Sequence, residues 1–136
     1  MNHTIKKHYE SPSAEEYIKL RMAAGLSKKN EAAAEIGLRN SIFTVCLRQS
    51  GRLIGMGRII GDGGCFYQIV DIAVDPEFQG KGLGKIVITE LTDYLEENAP
   101  EHSYVSLLAD VPADGLYKKF GFEYTSPKSL GMYRKY

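Results

Sequence analysis

The segment Gln79–Lys85, QGKGLGK, sets three glycines at alternate positions, with Lys81 between two of them and Lys85 at its end. Glycines cost chain entropy on folding, and an ordinary tight turn needs only one, so bare backbone is wanted here. The chemistry that wants it is anion binding. An apolar run, IVDIAV, leads towards the loop, and a second apolar run, starting with Leu83, leads out of it. That is the arrangement of a strand feeding a helix. The first amides of a helix lack intrahelical partners and carry a partial positive charge. Gly80, Gly82 and Gly84 would let a pyrophosphate reach those amides with no Cβ in the way. Lys81 and Lys85 add charge beside it.

Two familiar phosphate loops fail on this segment. In a dinucleotide fingerprint, Gly80 and Gly82 fit but the third glycine falls on Lys85. In a P-loop, Gly84 and Lys85 fit, but Gln79 stands where the first glycine belongs and Ile86 where Ser or Thr should be. A third pattern, [Q/R]xxGx[G/A], fits in full from Gln79 to Gly84. The competing reading is a strand–helix turn with solvated lysines.

The elements that must position this loop are legible along the chain. HTIKKHY reads as a short first strand. Ser13 and Glu16 have capping-box spacing, and Tyr17, Leu20, Arg21 and Ala24 follow on one helical face up to Gly25. A second helix runs through EAAAEIGLR. SIFTVCLRQ, RLIGMGRIIG and CFYQIVDIAV then read as three strands, with Ser50 and Gly51 at one turn and Gly61 to Gly64 at the next. Short turns make them an antiparallel meander. The third ends at Asp75 and Pro76, since Pro cannot continue a ladder. After the glycine loop, Leu83, Val87, Leu91 and Leu95 mark a helix to about Glu97. YVSLLADV reads as a buried strand, ADGLYKKFG as a short helix, and FEYTS and GMYRKY as two closing strands. The expected fold is mixed α/β, in the order β-α-α-β-β-β-α-β-α-β-β, with one parallel crossover from the meander to YVSLLADV.

Composition narrows the function classes. The 136 residues suit one domain, 1–136, and 17 basic side chains cancel 17 acidic ones. A nucleic-acid partner would show as a basic excess. No apolar run approaches the ~20 residues of a membrane span, and the first residues lack the apolar core of a signal peptide, so a cytoplasmic location is expected. Cys46 and Cys65 read as reduced, partly buried thiols. His3, His8 and His102 are scattered, and no metal site is expected.

IAVDPEFQGKGLGKIVI resembles the acetyl-CoA segment of the GCN5-related N-acetyltransferase (GNAT) superfamily, a strand ending in xAVxP, the QxxGxG loop, then a helix. LYKKFGF near the C-terminus and the order of elements extend the likeness over essentially the whole chain. The resemblance implies the GNAT fold, with a central mixed sheet that splays after the third meander strand. It implies that Ile72, Ala73 and Val74 pair with the pantetheine arm. The amides of Gln79, Gly80, Lys81, Gly82, Leu83, Gly84 and Lys85 would hold the pyrophosphate. Acetyl-CoA is then the cosubstrate, and an amine accepts the acetyl group.

Acetyl transfer to an amine needs a base, an oxyanion donor and an acid for the thiolate. A backbone N–H near Ile72 or Ala73 is the expected oxyanion donor. Tyr117 matches the tyrosine that many members place beside the sulfur. Histone-type members carry a glutamate where this chain has Gln68, so Asp110 is the preferred base, with Asp71 or water as alternatives. Asp110 has a competing reading as a cap for the short helix. Tyr17, Tyr67, Phe66, Tyr124, Met132 and Tyr133 are available to line the acceptor site.

AEEYIKLRMAAGLS, LRNSIFTVCLRQSGRLIGMGRII and LLADVPADGLYKKFGF further resemble the branch with small bacterial members and plant-type serotonin (arylalkylamine) N-acetyltransferases. The expected acceptor is therefore a small primary amine, an arylalkylamine first. An acetyl-CoA sensor or a lysine acetyltransferase is the alternative. The family also forms homodimers, and the sequence leaves that open.

Overall fold

The computed structural model describes residues 4–136. Its elements run β1 (Ile5–His8), α1 (Ala14–Ala23), α2 (Glu31–Arg39), β2 (Phe43–Gln49), β3 (Arg52–Gly61), β4 (Phe66–Val74), a 3-10 turn (Pro76–Phe78), α3 (Leu83–Asn98), β5 (Tyr104–Leu107) and α4 (Asp114–Lys118). The helix starts follow from their caps. Ser13 and Glu16 close the capping box on α1, and the Asn30 side chain accepts from Ala33 N–H at the start of α2.

The five strands form one sheet in the order β1-β2-β3-β4-β5. The first four pair antiparallel, and β5 pairs parallel with β4. Three layers result. One face of the sheet buries Val45, Leu47, Ile54, Ile59 and Ile69 against Val87, Ile88 and Leu91 of α3. The other buries Cys46, Met56 and Ala73 against Tyr17, Leu20 and Leu38 of α1 and α2. Cover on both faces explains why β2 and β3 read as nearly unbroken apolar runs. A Cβ on Gly57 would lie 2.5 Å from Val87 Cγ1, so α3 can pack close to β3 only because that side chain is missing.

The mixed α/β architecture and the parallel crossover are as expected, with two differences near the C-terminus. The strand expected over YVSLLADV stops at Leu107. FEYTS and GMYRKY form no strands; residues 122–136 are turns and irregular backbone. The two stretches are short, Pro127 follows the first directly and Gly131 opens the second, and a short strand needs a face to bury. Leu130, Met132 and Tyr133 find none, at 73%, 92% and 80% exposed.

Candidate active site

The glycine loop joins the 3-10 turn to α3. Gly80 and Gly82 have φ of +80° and +79°, the left-handed conformation that disfavours any side chain. Gly82 is the N-cap of α3 and supplies no side-chain hydrogen bond to the helix. The first amides of α3 are therefore left facing outward. Gly84 has neither a positive φ nor a neighbour within 4 Å of where its Cβ would stand. Nothing inside the protein requires glycine there. A group approaching from outside would, and a phosphate held by the helix amides fits. Lys81 and Lys85 are exposed at this edge, with Lys81 Nζ 5.3 Å from the centroid of the Phe78 ring.

The strand that leads into the loop is bulged. β4 and β3 keep register at Arg58–Val70 and again at Met56–Ala73, so one residue of β3, Gly57, faces both Asp71 and Ile72. Asp71 takes up the extra length at φ +60°. Beyond this bulge β4 loses its other neighbour: the ladder with β5 runs from Phe66–Tyr104 to Ile69–Leu107 and stops. Residues 70 to 74 thus have an open edge, the splay that the family resemblance implies.

The backbone at that edge can be read from the ladder. Asp75 N–H donates to Ile54 O at 2.8 Å. Direction alternates along an antiparallel strand, so Ala73 also turns its amide toward β3. Val74, between them, faces the open side, where its carbonyl accepts from Gln79 Nε2 at 3.0 Å. Of the two expected oxyanion donors, Ala73 is spent on the sheet and Ile72 is left.

Two clefts meet at this edge. One, about 290 Å³, lies between β4 and the loop, with Val74, Gln79, Gly80, Gly82 and Gly84 in its wall. The other, about 220 Å³, runs between α1, β4 and the segment after β5, with Arg21, Asp71 and Asp110 in its wall. Ala24, Ile72, Ala113 and Tyr117 line both. Tyr117, half-buried on α4, thus stands at the junction. Burial, and then the charge of Asp110, push its phenol above the ordinary value of 10.0, so it stays protonated. Asp110 is exposed, on the loop after β5 instead of on the strand. Its backbone carbonyl accepts from Ala113 N–H at 2.7 Å, and α4 has no side-chain cap. The carboxylate is not used as a cap.

Asp71 is engaged elsewhere. Its Oδ1 accepts from Arg21 Nη1, and its Oδ2 accepts from Arg58 Nε at 2.8 Å and Tyr17 O–H at 2.7 Å. Both oxygens are committed to donors within the protein. The guanidinium of Arg21 lies 5.9 Å from the Tyr17 ring centroid and that of Arg58 5.6 Å from it. Burial, then the Asp71 charge, raise the Tyr17 pKa above 10.0. The sequence held no sign of this cluster, because its members lie far apart in the chain and meet only through the bulge.

Of the aromatics available for the acceptor site, most lie elsewhere, in the core or on the sheet. Tyr17 and Tyr67 are buried, at 3% and 4% exposed. Phe66 sits at the far end of β4 beside Tyr104. Tyr124 hydrogen-bonds Asp114 and lines a neighbouring cleft of about 190 Å³ that shares Leu107, Leu108 and Tyr117 with the cleft of about 220 Å³. A larger cavity, about 440 Å³, lies between α1 and Asp75–Glu77; neither the glycine loop nor Tyr117 lines it, and its Arg52 is paired with Asp75 and Glu77. Cys46 is buried, and Cys65 is exposed instead of partly buried. His3 lies outside the described residues; among those described, no cluster of three or more His, Cys, Asp or Glu could hold a metal ion. No described helix is long and apolar enough to cross a membrane.

The sequence model of the Acetyltransferase (GNAT) family matches residues 5–122. An uncharacterized N-acetyltransferase, ycf52, of Pyropia yezoensis is 35% identical over 104 residues, 74% of this chain. That match covers 59% of the algal protein's length. A protein of unknown function and probable acetyltransferase from meticillin-resistant Staphylococcus aureus superposes with a TM-score of 0.94 at 51% identity, covering 98% of this chain and 100% of that one. A GNAT family acetyltransferase of Brucella melitensis, solved in complex with acetyl-CoA, shares the fold at a TM-score of 0.65 and 22% identity, over 90% of this chain and 85% of that one.

Proposed function

The chain belongs to the GNAT acetyltransferase family, and from that premise we propose that it moves an acetyl group from acetyl-CoA directly to the primary amine of a small molecule. The observation that carries the reading is the junction of the two clefts at Tyr117. One cleft has the form of a pyrophosphate and pantetheine site, and the other is of small-molecule size. Their shared wall is where acyl donor and amine would meet.

Acetyl-CoA, when bound, supplies an acetyl thioester. The nitrogen–carbon bond to the acceptor forms as the carbon–sulfur bond breaks, and the amine loses a proton while the sulfur gains one. This chain's residues serve each need. The outward amides of Leu83, Gly84 and Lys85 hold the pyrophosphate, with Lys81 and Lys85 adding charge. The open edge at Val74 offers backbone to the pantetheine amides once the Gln79 side chain gives up the Val74 carbonyl. The Ile72 N–H faces the carbonyl oxygen as it gains negative charge. Tyr117, kept protonated, donates to the departing sulfur. Asp110, which lines the same cleft, takes the amine proton directly or through water.

An arylalkylamine acceptor is the weaker form of this reading. The acceptor cleft has no aromatic wall apart from Tyr117, and its other walls are aliphatic or charged. The test is release of free CoA from acetyl-CoA against small amines, polyamines, an aminoglycoside and a lysine peptide. Release that depends on a small amine is the expected result. Silence across the panel, in protein still stabilised by acetyl-CoA, would contradict transfer to a small amine and favour a binding module.

A further inference from the structure

We infer that the acceptor carries an anionic group, a carboxylate or a phosphate, and that Arg21 holds it. This rests on the acetyltransferase reading of the same cleft. Arg21 and Asp71 both line the cleft, and with Arg58 behind them they form a cluster whose side chains are 5% to 10% exposed. Two guanidiniums face one carboxylate. Asp71 is the acid paired with both guanidiniums, while Asp110, the other acid in the cleft wall, is exposed and forms no ion pair with either. One positive charge is therefore left over in a buried site, which is costly unless a counter-charge is supplied.

The surplus is available on the cleft side. Arg58 is tied into the body of the protein, its Nη1 donating to Gly37 O at 3.0 Å and to Ser41 Oγ at 2.7 Å. Arg21 is held in place by Asp71 through Nη1 and by Ser27 through Nε and Nη2. A guanidinium has more N–H donors than these three contacts use, and Arg21 is the cation in the cleft wall. Its planar fork, fixed by Asp71 and Ser27, suits the oxygens of a carboxylate or phosphate. Asp110 and Tyr117 lie in the same wall. The cleft thus offers positive charge for one part of the acceptor and the proton-handling pair for its amine. Polyamines and unsubstituted arylalkylamines would bring further positive charge, or none, to the Arg21 end.

A matched panel tests this. Phenylalanine, β-alanine and 4-aminobutyrate are assayed for amine-dependent CoA release, each beside its own amide. Phosphoethanolamine is assayed beside ethanolamine. In parallel, the N-acetylated form of each is titrated calorimetrically into the CoA-loaded protein. The expected result is a preference of about ten-fold or more in kcat/KM for anionic members over their neutral counterparts, and tighter binding of the anionic products. Which of the carboxylate and phosphate arms responds identifies the anion. Arg21→Gln should erase the preference mainly through KM with acetyl-CoA affinity kept, and Arg21→Lys should restore part of it. Should these variants unfold, the wild-type comparisons still decide. Equal use and equal binding of neutral and anionic members would overturn the inference while leaving the transferase intact. Selective binding of anionic ligands with no CoA release would uphold the inference and contradict the transferase reading. Neither binding nor release would overturn both.

Discussion

The charge of Asp110 acts on Tyr117: after burial, it is the second cause holding the phenol above its ordinary value. In the proposed reaction the pair would divide the two proton tasks, Tyr117 as an acid that stays neutral and Asp110 as a carboxylate on the rim of the same cleft. Asp110→Asn should lower kcat/KM at neutral pH by about 10²-fold and remove the acidic limb of the pH–rate profile. A carboxylate base works only when deprotonated, so the limb belongs to whichever group takes the amine proton. An unchanged profile in the variant would leave the proton to water. Tyr117, with its pKa raised, should contribute no basic limb below about pH 10.

Gly84 and Gly82 should respond oppositely to alanine. Gly84 lies in the first turn of α3 with open space at its Cβ position, so Gly84→Ala should leave stability unchanged or raise it by up to about 1 kcal/mol. Its acetyl-CoA affinity should nonetheless fall ten-fold or more. Gly82→Ala, at φ +79°, should cost about 1 kcal/mol of stability from the left-handed backbone alone. Thermal melts with and without acetyl-CoA separate the two. Undiminished acetyl-CoA affinity in Gly84→Ala would contradict the pyrophosphate role of the loop.

The start of α1 carries a pH-dependent clamp. Both Arg48 Nη atoms donate to the Glu16 carboxylate at 2.8 Å, and Ser13 N–H donates to it at 2.9 Å. The Arg48 hydrogen bonds are the largest cause holding Glu16 below its ordinary value, with the Ser13 contacts assisting. A depressed carboxylate stabilises the fold above its unfolded pKa and loses that contribution as pH falls through the folded one. Glu16→Gln should therefore cost about 1 kcal/mol at neutral pH, the group being partly screened by water. Denaturation midpoints of the two proteins should converge below about pH 4. A gap that persists in acid would mean the contribution is not ionic.

The cysteines should differ sharply toward a thiol reagent. Cys46 is fully buried, and burial pushes its thiol up to about 11, whereas Cys65 is exposed at the start of β4. Native protein should take up one equivalent quickly, at Cys65, and the second only on unfolding. Fast double labelling would contradict the packing of β2 beneath α1.

The parts legible in the sequence are those written in local code. The Ser13 and Glu16 spacing placed α1, and the alternate glycines placed the loop and the start of α3, because caps and left-handed backbone depend on near neighbours. The splay was anticipated from family likeness, but its device was not. Asp71 is a non-glycine residue at positive φ opposite Gly57, and no local pattern marks such a bulge. The bulge in turn assembles Tyr17, Arg21, Arg58 and Asp71, four residues from three separate elements. Alternation could not decide where Asp71 pointed, because the bulge breaks the alternation. FEYTS and GMYRKY read in the sequence as closing strands, yet a strand needs a neighbour, and β5 ends too early to supply one for long.

The most direct test of the junction at Tyr117 is to measure turnover and acetyl-CoA affinity together in Tyr117→Phe. The substitution removes the proton donor and little of the packing. The account predicts that kcat drops by about 10²-fold or more while the acetyl-CoA dissociation constant stays within about two-fold of wild type. Turnover equal to wild type would contradict the placing of the acid at the meeting point of the two clefts.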